Sequence, residues 1–260
     1  MDTNASDFVK SASRTLQVFE AFSEAGRVQS LADIARALKI PRSSCLALLR
    51  TLLSHGYLYQ IGGTGYYPTN KMCETAELIA RHDPLIERVR PVMTMLRDLT
   101  QETVILGKRQ AERVIYLVVV ESEQMIRYST HAGEFKPLYA TASGKVLLGS
   151  MGREERRRLF EQLLIKPFTS QTITDIRELE KDLLRGSARG WQQVEGENVP
   201  DVVAIAAPVI LNGETYALVV TGPIHRMKEN LDQHGKAMIE ACRCLEAGLP
   251  LEGSRPESGY

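Results

Sequence analysis

Arg42, Ser43 and Ser44 follow Pro41 and open a segment in which Cys45, Leu48, Leu49, Leu52 and Leu53 recur at helical spacing. A guanidinium and two small hydroxyls at the start of a helix suit phosphates and base edges in a DNA major groove. The helix's own N–H groups point at anions there too. Leu46, Ala47 and Arg50 share the outward surface, and Ser30, placed to cap the preceding helix, belongs to the same DNA-facing set. A second anion-seeking pattern is Thr141-Ala142-Ser143, where a hydroxyl residue precedes a short apolar helix. Unpaired N–H groups and the positive dipole end favour a carboxylate there, and capping by Thr141 is compatible with ligand binding.

Catalytic patterns are weaker. In ATASGKV the first glycine of a phosphate loop is replaced by Tyr139, and Val146 stands where Ser or Thr would hold magnesium. No Gly-x-Ser-x-Gly elbow occurs, and the histidines at 55, 82, 131, 225 and 234 lack metal spacing. The acidic pairs Glu154-Glu155 and Glu195/Glu197 read as solvated or structural. Cys45, Cys73, Cys242 and Cys244 show neither a zinc pattern nor a disulfide framework. No cofactor, metal or enzymatic activity is expected.

These groups need elements to hold them. Leu16, Val18, Phe19 and Phe22 predict a first helix from Ser11 to a stop at Gly26. Leu31, Ile34, Ala35 and Leu38 give a short second one after Ser30. Pro41 suits the first position of a third helix running to about His55. YLYQ and GYYP around Gly62-Gly63-Thr64-Gly65 then read as a hairpin. Three helices and a two-stranded wing form a winged helix-turn-helix, read either as a DNA-binding module or as a scaffold for protein contacts.

Farther on, helical spacing predicts a linker helix at Asn70–Arg81, a long helix from Pro84 through Leu99, and helices at Thr141–Ser150, Arg153–Leu164, Asp175–Arg189 and Met227–Leu249. Strands are expected at Thr103–Lys108, Arg113–Glu121, Met125–Thr130, Val202–Leu211 and Thr215–Thr221, the last two joined by Asn212-Gly213. The order implies an α+β fold with a mostly antiparallel sheet flanked by helices.

The 260 residues carry 32 basic and 32 acidic side chains, but residues 1–72 hold 8 basic against 5 acidic and the remainder 24 against 27. A basic head on an acidic body fits a DNA partner for the head. The expected division is a winged domain at 1–69, a linker helix at 70–83, a ligand-binding domain at 84–250 and a tail at 251–260. The acidic start lacks the pattern of an export signal, and the apolar runs Val114–Val120 and Ala204–Leu211 are too short for a membrane span. A cytoplasmic location without membrane partners is expected.

The stretches SLADIARALKIPRSSCLALLRTLLSHGYL, PLYATASGKVLLG, AIAAPVI and VVTGP, in this order, resemble the IclR-type (isocitrate lyase regulator) bacterial transcriptional regulators from about Ser11 to Leu249. The resemblance implies a GAF-like effector domain behind the winged head and a homodimer or dimer of dimers. It also implies operator DNA as partner, with a small organic acid modulating the binding. Arg42, Ser43 and Ser44 match the family's start of the third helix, and Ser13 with Arg14 implies a phosphate contact from the first. Leu46-Ala47 replaces a common His-Arg pair, which leaves Leu46 open to thymine methyls or to packing on the first helix.

By the same resemblance, backbone groups at Ala142 and Ser143 hold the carboxylate, and the ends of the last two strands with the loop before them close the pocket. Val194, Ala204 and Val219 stand where some relatives use Asp, Cys and Ser, while Thr221 keeps a hydroxyl. Two readings stay open: the effector has a larger apolar part, aromatic or medium-chain, or these residues are core and polar contacts come from elsewhere. Arg127 and Tyr128 border the expected site without a decided orientation. The alternative function is a small-molecule sensor acting through protein contacts.

Overall fold

The computed structural model describes residues 9–248. The expected tail at 251–260 and the helix end at Leu249 lie outside the described residues. The chain divides into two compact units between Asp83 and Pro84.

In the first unit, α1 (Lys10–Ala25) ends at Gly26, whose φ of 60° is left-handed and whose N–H donates to Phe22 O. Val18, Ala21 and Phe22 face the core, but Leu16 is 63% exposed, so the buried stripe is narrower than expected. Ser30 caps α2 (Leu31–Ala37) through a reciprocal pair with Asp33. Helix α3 spans Arg42–Ser54, with Pro41 one place earlier than expected. Pro41 keeps a helix-compatible φ of −59°, but its ψ of 142° is extended, which makes it the cap. The core joins Val18, Phe22, Ile34, Cys45, Leu49 and Leu52.

The expected wing forms from β2 (Leu58–Ile61) and β3 (Gly65–Pro68), with Gly62 and Gly63 at positive φ in the turn. A third strand was not anticipated: β1 (Gln29–Ser30) pairs antiparallel with β3, too short to show a period in sequence. Helix α4 (Lys71–Arg81) follows and buries none of its residues.

The second unit starts with α5 (Pro84–Thr100), which continues through Pro91. Its sheet contains β4 (Thr103–Gln110), β5 (Arg113–Val120), β6 (Phe135–Pro137), β7 (Gln192–Glu195), β8 (Val202–Leu211) and β9 (Glu214–Pro223). The order is β6-β5-β4-β9-β8-β7, and every neighbouring pair is antiparallel. Helices α6 (Ala142–Gly149), α7 (Arg153–Gln162) and α8 (Ile176–Arg189) cover one face, while α5 and α10 (Leu231–Ala247) cover the other. Both faces being covered accounts for the continuous apolar runs: along β8, Val203, Ile205 and Ala207 pack toward α5 and α10, and Ala204 and Ala206 toward α6.

Three expectations are corrected. Met125–Thr130 is not a strand; its carbonyls are taken by side chains, Thr103 Oγ1 donating to Tyr128 O at 2.7 Å and Arg226 to Ile126 O at 2.9 Å. The neighbour of β5 is instead β6, which with β7 was missed because three or four residues carry little pattern without a hairpin turn such as the one that marked β2 and β3. The last helix is two, α9 (Ile224–Glu229) and α10, separated at Asn230, whose φ of −120° leaves the helical region. Its N–H closes α9 on Met227 O and its carbonyl accepts from His234 N–H to open α10. Among the described residues, no helix is long and apolar enough to cross a membrane.

Candidate functional site

The head's candidate surface is the outward side of α3. Arg42, Ser43, Ala47 and Arg50 are exposed, while Ser44 and Leu46 are half-buried. No side chain caps the helix, so its first N–H groups are open beside Arg42; only Cys45 N–H reaches back, to Pro41 O at 3.0 Å. On α1, Ser13 is exposed and Arg14 half-buried. Arg14, Arg42 and Arg50 have no acidic partner among the described residues. Ser30 is different: its hydroxyl donates to Asp33 Oδ2 at 2.7 Å and is engaged in the cap of α2.

In the second unit one cavity collects all the residues expected at the effector site: Thr141, Ala142, Ser143, Val194, Ala204, Val219 and Thr221. The register makes this possible, since Val194, Ala204 and Thr221 are successive partners across β7, β8 and β9, with Val219 two places along the same face. Helix α6 approaches that face closely because residue 144 is glycine. A Cβ there would lie 2.1 Å from Leu138 O. Thr141 Oγ1 accepts from Gly144 N–H at 3.1 Å, and Thr141 O accepts from Lys145 N–H at 2.9 Å. The N–H groups of Ala142 and Ser143 are left with no protein acceptor among the described residues.

The cavity is narrow, about 30 Å³, room for one or two waters. It sits within about 390 Å³ of unfilled space that includes its mouth. Tyr116, Tyr128, Ala140, Val202 at the start of β8 and, from the loop before the last two strands, Glu197, Asn198 and Val199 complete its walls; Tyr128 and that loop were expected at the site, Tyr116 was not. Tyr128 lines the cavity, whereas Arg127 turns away to Glu121 Oε2 at 3.2 Å. The Glu197–Val202 segment left no periodic signal.

Beneath the cavity, fully buried Lys145 joins Asp182 Oδ2 at 2.7 Å and Glu197 Oε1 at 2.5 Å. Burial pushes the Glu197 carboxyl above the usual range, with Lys145 opposing the shift. Glu197 also accepts from Ile173 N–H at 3.3 Å, and its carbonyl accepts from Thr172 Oγ1 at 2.6 Å. These bonds fix the near end of the segment over the cavity.

Two family models match the chain: the IclR helix-turn-helix domain over residues 11–62 and the bacterial transcriptional regulator IclR C-terminal domain over residues 77–245. The HTH-type transcriptional regulator BhcR of Paracoccus denitrificans is 29% identical over 252 residues, covering 93% of this chain and 88% of that protein. The fold is shared with the Thermotoga maritima IclR, at a TM-score of 0.79 and 20% identity over 94% of this chain and 100% of the other. It is shared too with an IclR homolog complexed with 4-hydroxybenzoate from Microbacterium hydrocarbonoxydans, at 0.75 and 20% over 92% and 98%. These domains and relatives are those of transcriptional regulators, which are not enzymes. With a DNA-binding winged head and a C-terminal effector domain, the chain belongs to the IclR family of bacterial transcriptional regulators.

Proposed function

We propose that operator binding by this regulator is modulated by a small organic acid with an aromatic or medium-chain body, held in the cavity at the start of α6. The observation that carries this reading is the cavity's polarity. Two open N–H groups face it at one end, while Val194, Ala204 and Val219 form an apolar wall. A small hydroxy- or keto-acid would leave polar atoms against that wall without partners, at a cost of about 1–3 kcal/mol each. The Microbacterium neighbour's 4-hydroxybenzoate is an acid of the favoured kind. Of the lining residues, Asn198 and Val199 lie on the loop between β7 and β8, and an acid of this size is accommodated by movement of that loop.

On the DNA side, Arg42, Ser43, Ser44, Leu46, Ala47 and Arg50 enter the groove and Ser13 and Arg14 meet phosphates, with Ser30 acting through the cap of α2. The chain works as a homodimer or dimer of dimers. Exposed Leu78 and Ile79 on α4, a helix with no buried residue, support a second copy as the cover of that face. A fluorescence-anisotropy titration of the full chain against DNA upstream of its own gene, at two salt concentrations and with a panel of acids, tests the reading. Saturable, salt-sensitive binding altered by an aromatic or medium-chain acid is expected. Response to two- or three-carbon acids alone would refute the effector class, and no preference over random duplex would refute the operator.

A further inference from the structure

The cavity holds polar atoms that the backbone cradle does not use. Tyr116, on β5 and 4% exposed, and half-buried Tyr128 line it beside Ser143. Tyr116 is fixed by its backbone, its N–H donating to Glu134 O at 3.0 Å, and Tyr128 by the bond from Thr103 Oγ1 to its carbonyl. The Tyr116 hydroxyl interacts with those of Ser143 and Tyr128, and the Tyr128 hydroxyl also meets the Lys136 ammonium. Burial holds the Tyr116 phenol far above its usual range, so it keeps its proton and remains a donor.

Position decides what these hydroxyls serve. Ser143 contributes one of the two open N–H groups, so hydroxyls that reach Ser143 gather at the helix end of the cavity. On the sheet side, the Thr221 hydroxyl is spent on Val203 O at 3.2 Å, and the neighbouring wall is Val194, Ala204 and Val219. Donors are thus concentrated at the helix end, and the wall made by the strands offers none to a ligand. A carboxylate accepts through about four lone-pair sites, more than two N–H groups fill.

We propose that Tyr116 and Tyr128 are specificity-determining residues: with the Ser143 N–H, whose own hydroxyl is spent on Thr141 Oγ1 at 3.2 Å, they donate to the effector's carboxylate and select a monocarboxylic acid whose polar atoms are confined to that head. This rests on the effector reading above. An amide brings an NH₂ donor to a cluster of donors. An α-hydroxyl or α-keto group meets the apolar wall.

The test is calorimetric titration of the full chain with benzoate, octanoate, benzamide and lactate, using wild type, Tyr116→Phe and Tyr128→Phe. Wild type is expected to prefer benzoate or octanoate over benzamide and lactate. Each Tyr→Phe change weakens the acid about tenfold, as loss of a hydrogen bond to a charged group does, and narrows the acid-to-amide ratio. If Tyr116→Phe fails to fold, Tyr128→Phe carries the test, because its ring is only half-buried. An acid bound equally by wild type and Tyr128→Phe, or lactate or benzamide bound as tightly as the acids, overturns this inference alone. Wild type binding neither acid overturns the effector reading and this inference with it.

Discussion

Lys145 has no exposed side-chain surface, so its charge is tolerable only because Asp182 and Glu197 both touch it. Removing it leaves buried Glu197 without its cation and Asp182 with only Arg185, at 3.2 Å. Lys145→Met is expected to destabilise by about 3–5 kcal/mol and Glu197→Gln by less, since Asp182 still neutralises the ammonium; urea melts of the two variants decide, and equal losses would contradict the account. The sequence showed Lys145 only inside a failed phosphate loop, because its partners lie 37 and 52 residues away. His234 supports a second prediction. It is 5% exposed, its Nδ1 has no hydrogen-bond partner among the described residues, and burial holds its imidazole below the usual range. Below an unfolded pKa near 6.5 the unfolded chain takes up a proton that the fold resists. Stability is therefore constant above that pH and falls toward the lowered folded value, by at most about 1.4 kcal/mol per pH unit. Melting temperatures between pH 7.5 and 5.5 should fall more steeply for wild type than for His234→Leu; parallel profiles would exclude His234 as the source.

At the scale of elements, α6 is set by two residues with separable effects. Thr141 supplies the cap on Gly144 N–H, and Gly144 supplies the closeness to Leu138. Thr141→Ala should cost about 1 kcal/mol, the usual worth of a cap, and leave the helix in place. Gly144→Ala must push α6 off backbone atoms that cannot rotate away, costing about 1–3 kcal/mol as overpacking does and abolishing acid binding by moving both open N–H groups. Thermal melts with and without benzoate separate the two, and a Gly144→Ala protein that still binds acid would show that the close approach is dispensable. The cap and helix were legible because Thr141 and the apolar run are adjacent in sequence, as were the long strands β8 and β9 and their Asn212-Gly213 turn. The short strands β1, β6 and β7 were not, because none has the glycine turn that marked the equally short β2 and β3. Met125–Thr130 has strand-forming residues, but Thr103 and Arg226, distant in sequence, claim its carbonyls.

For the whole molecule, zero net charge conceals a head with 8 basic and 5 acidic residues in positions 1–72. The proposed effector cavity was legible in part: the residue pattern marked Thr141 to Ser143, and the resemblance added the four strand residues and the loop before the last two strands, all of which line the cavity, but nothing marked Tyr116, which strand pairing brings there. The outward side of α3, the proposed DNA face, was legible as a surface because it lies on one short stretch of helix, where spacing alone separates Cys45 and Leu49 in the core from Ser43, Ala47 and Arg50 outside. Charge and face together predict how binding responds to salt. Each phosphate neutralised by Lys or Arg releases counterions and adds about 0.9 to the slope of log affinity against log salt. Arg14→Ala should therefore weaken operator and random duplex alike and lower both slopes by about 0.9. Leu46→Ala should change the operator-to-random ratio at constant slope, because a methyl contact reads sequence and releases no ion. Anisotropy titrations at four salt concentrations measure both quantities. An unchanged slope for Arg14→Ala would remove α1 from the phosphate contacts, and an unchanged ratio for Leu46→Ala would assign that side chain to packing within the head.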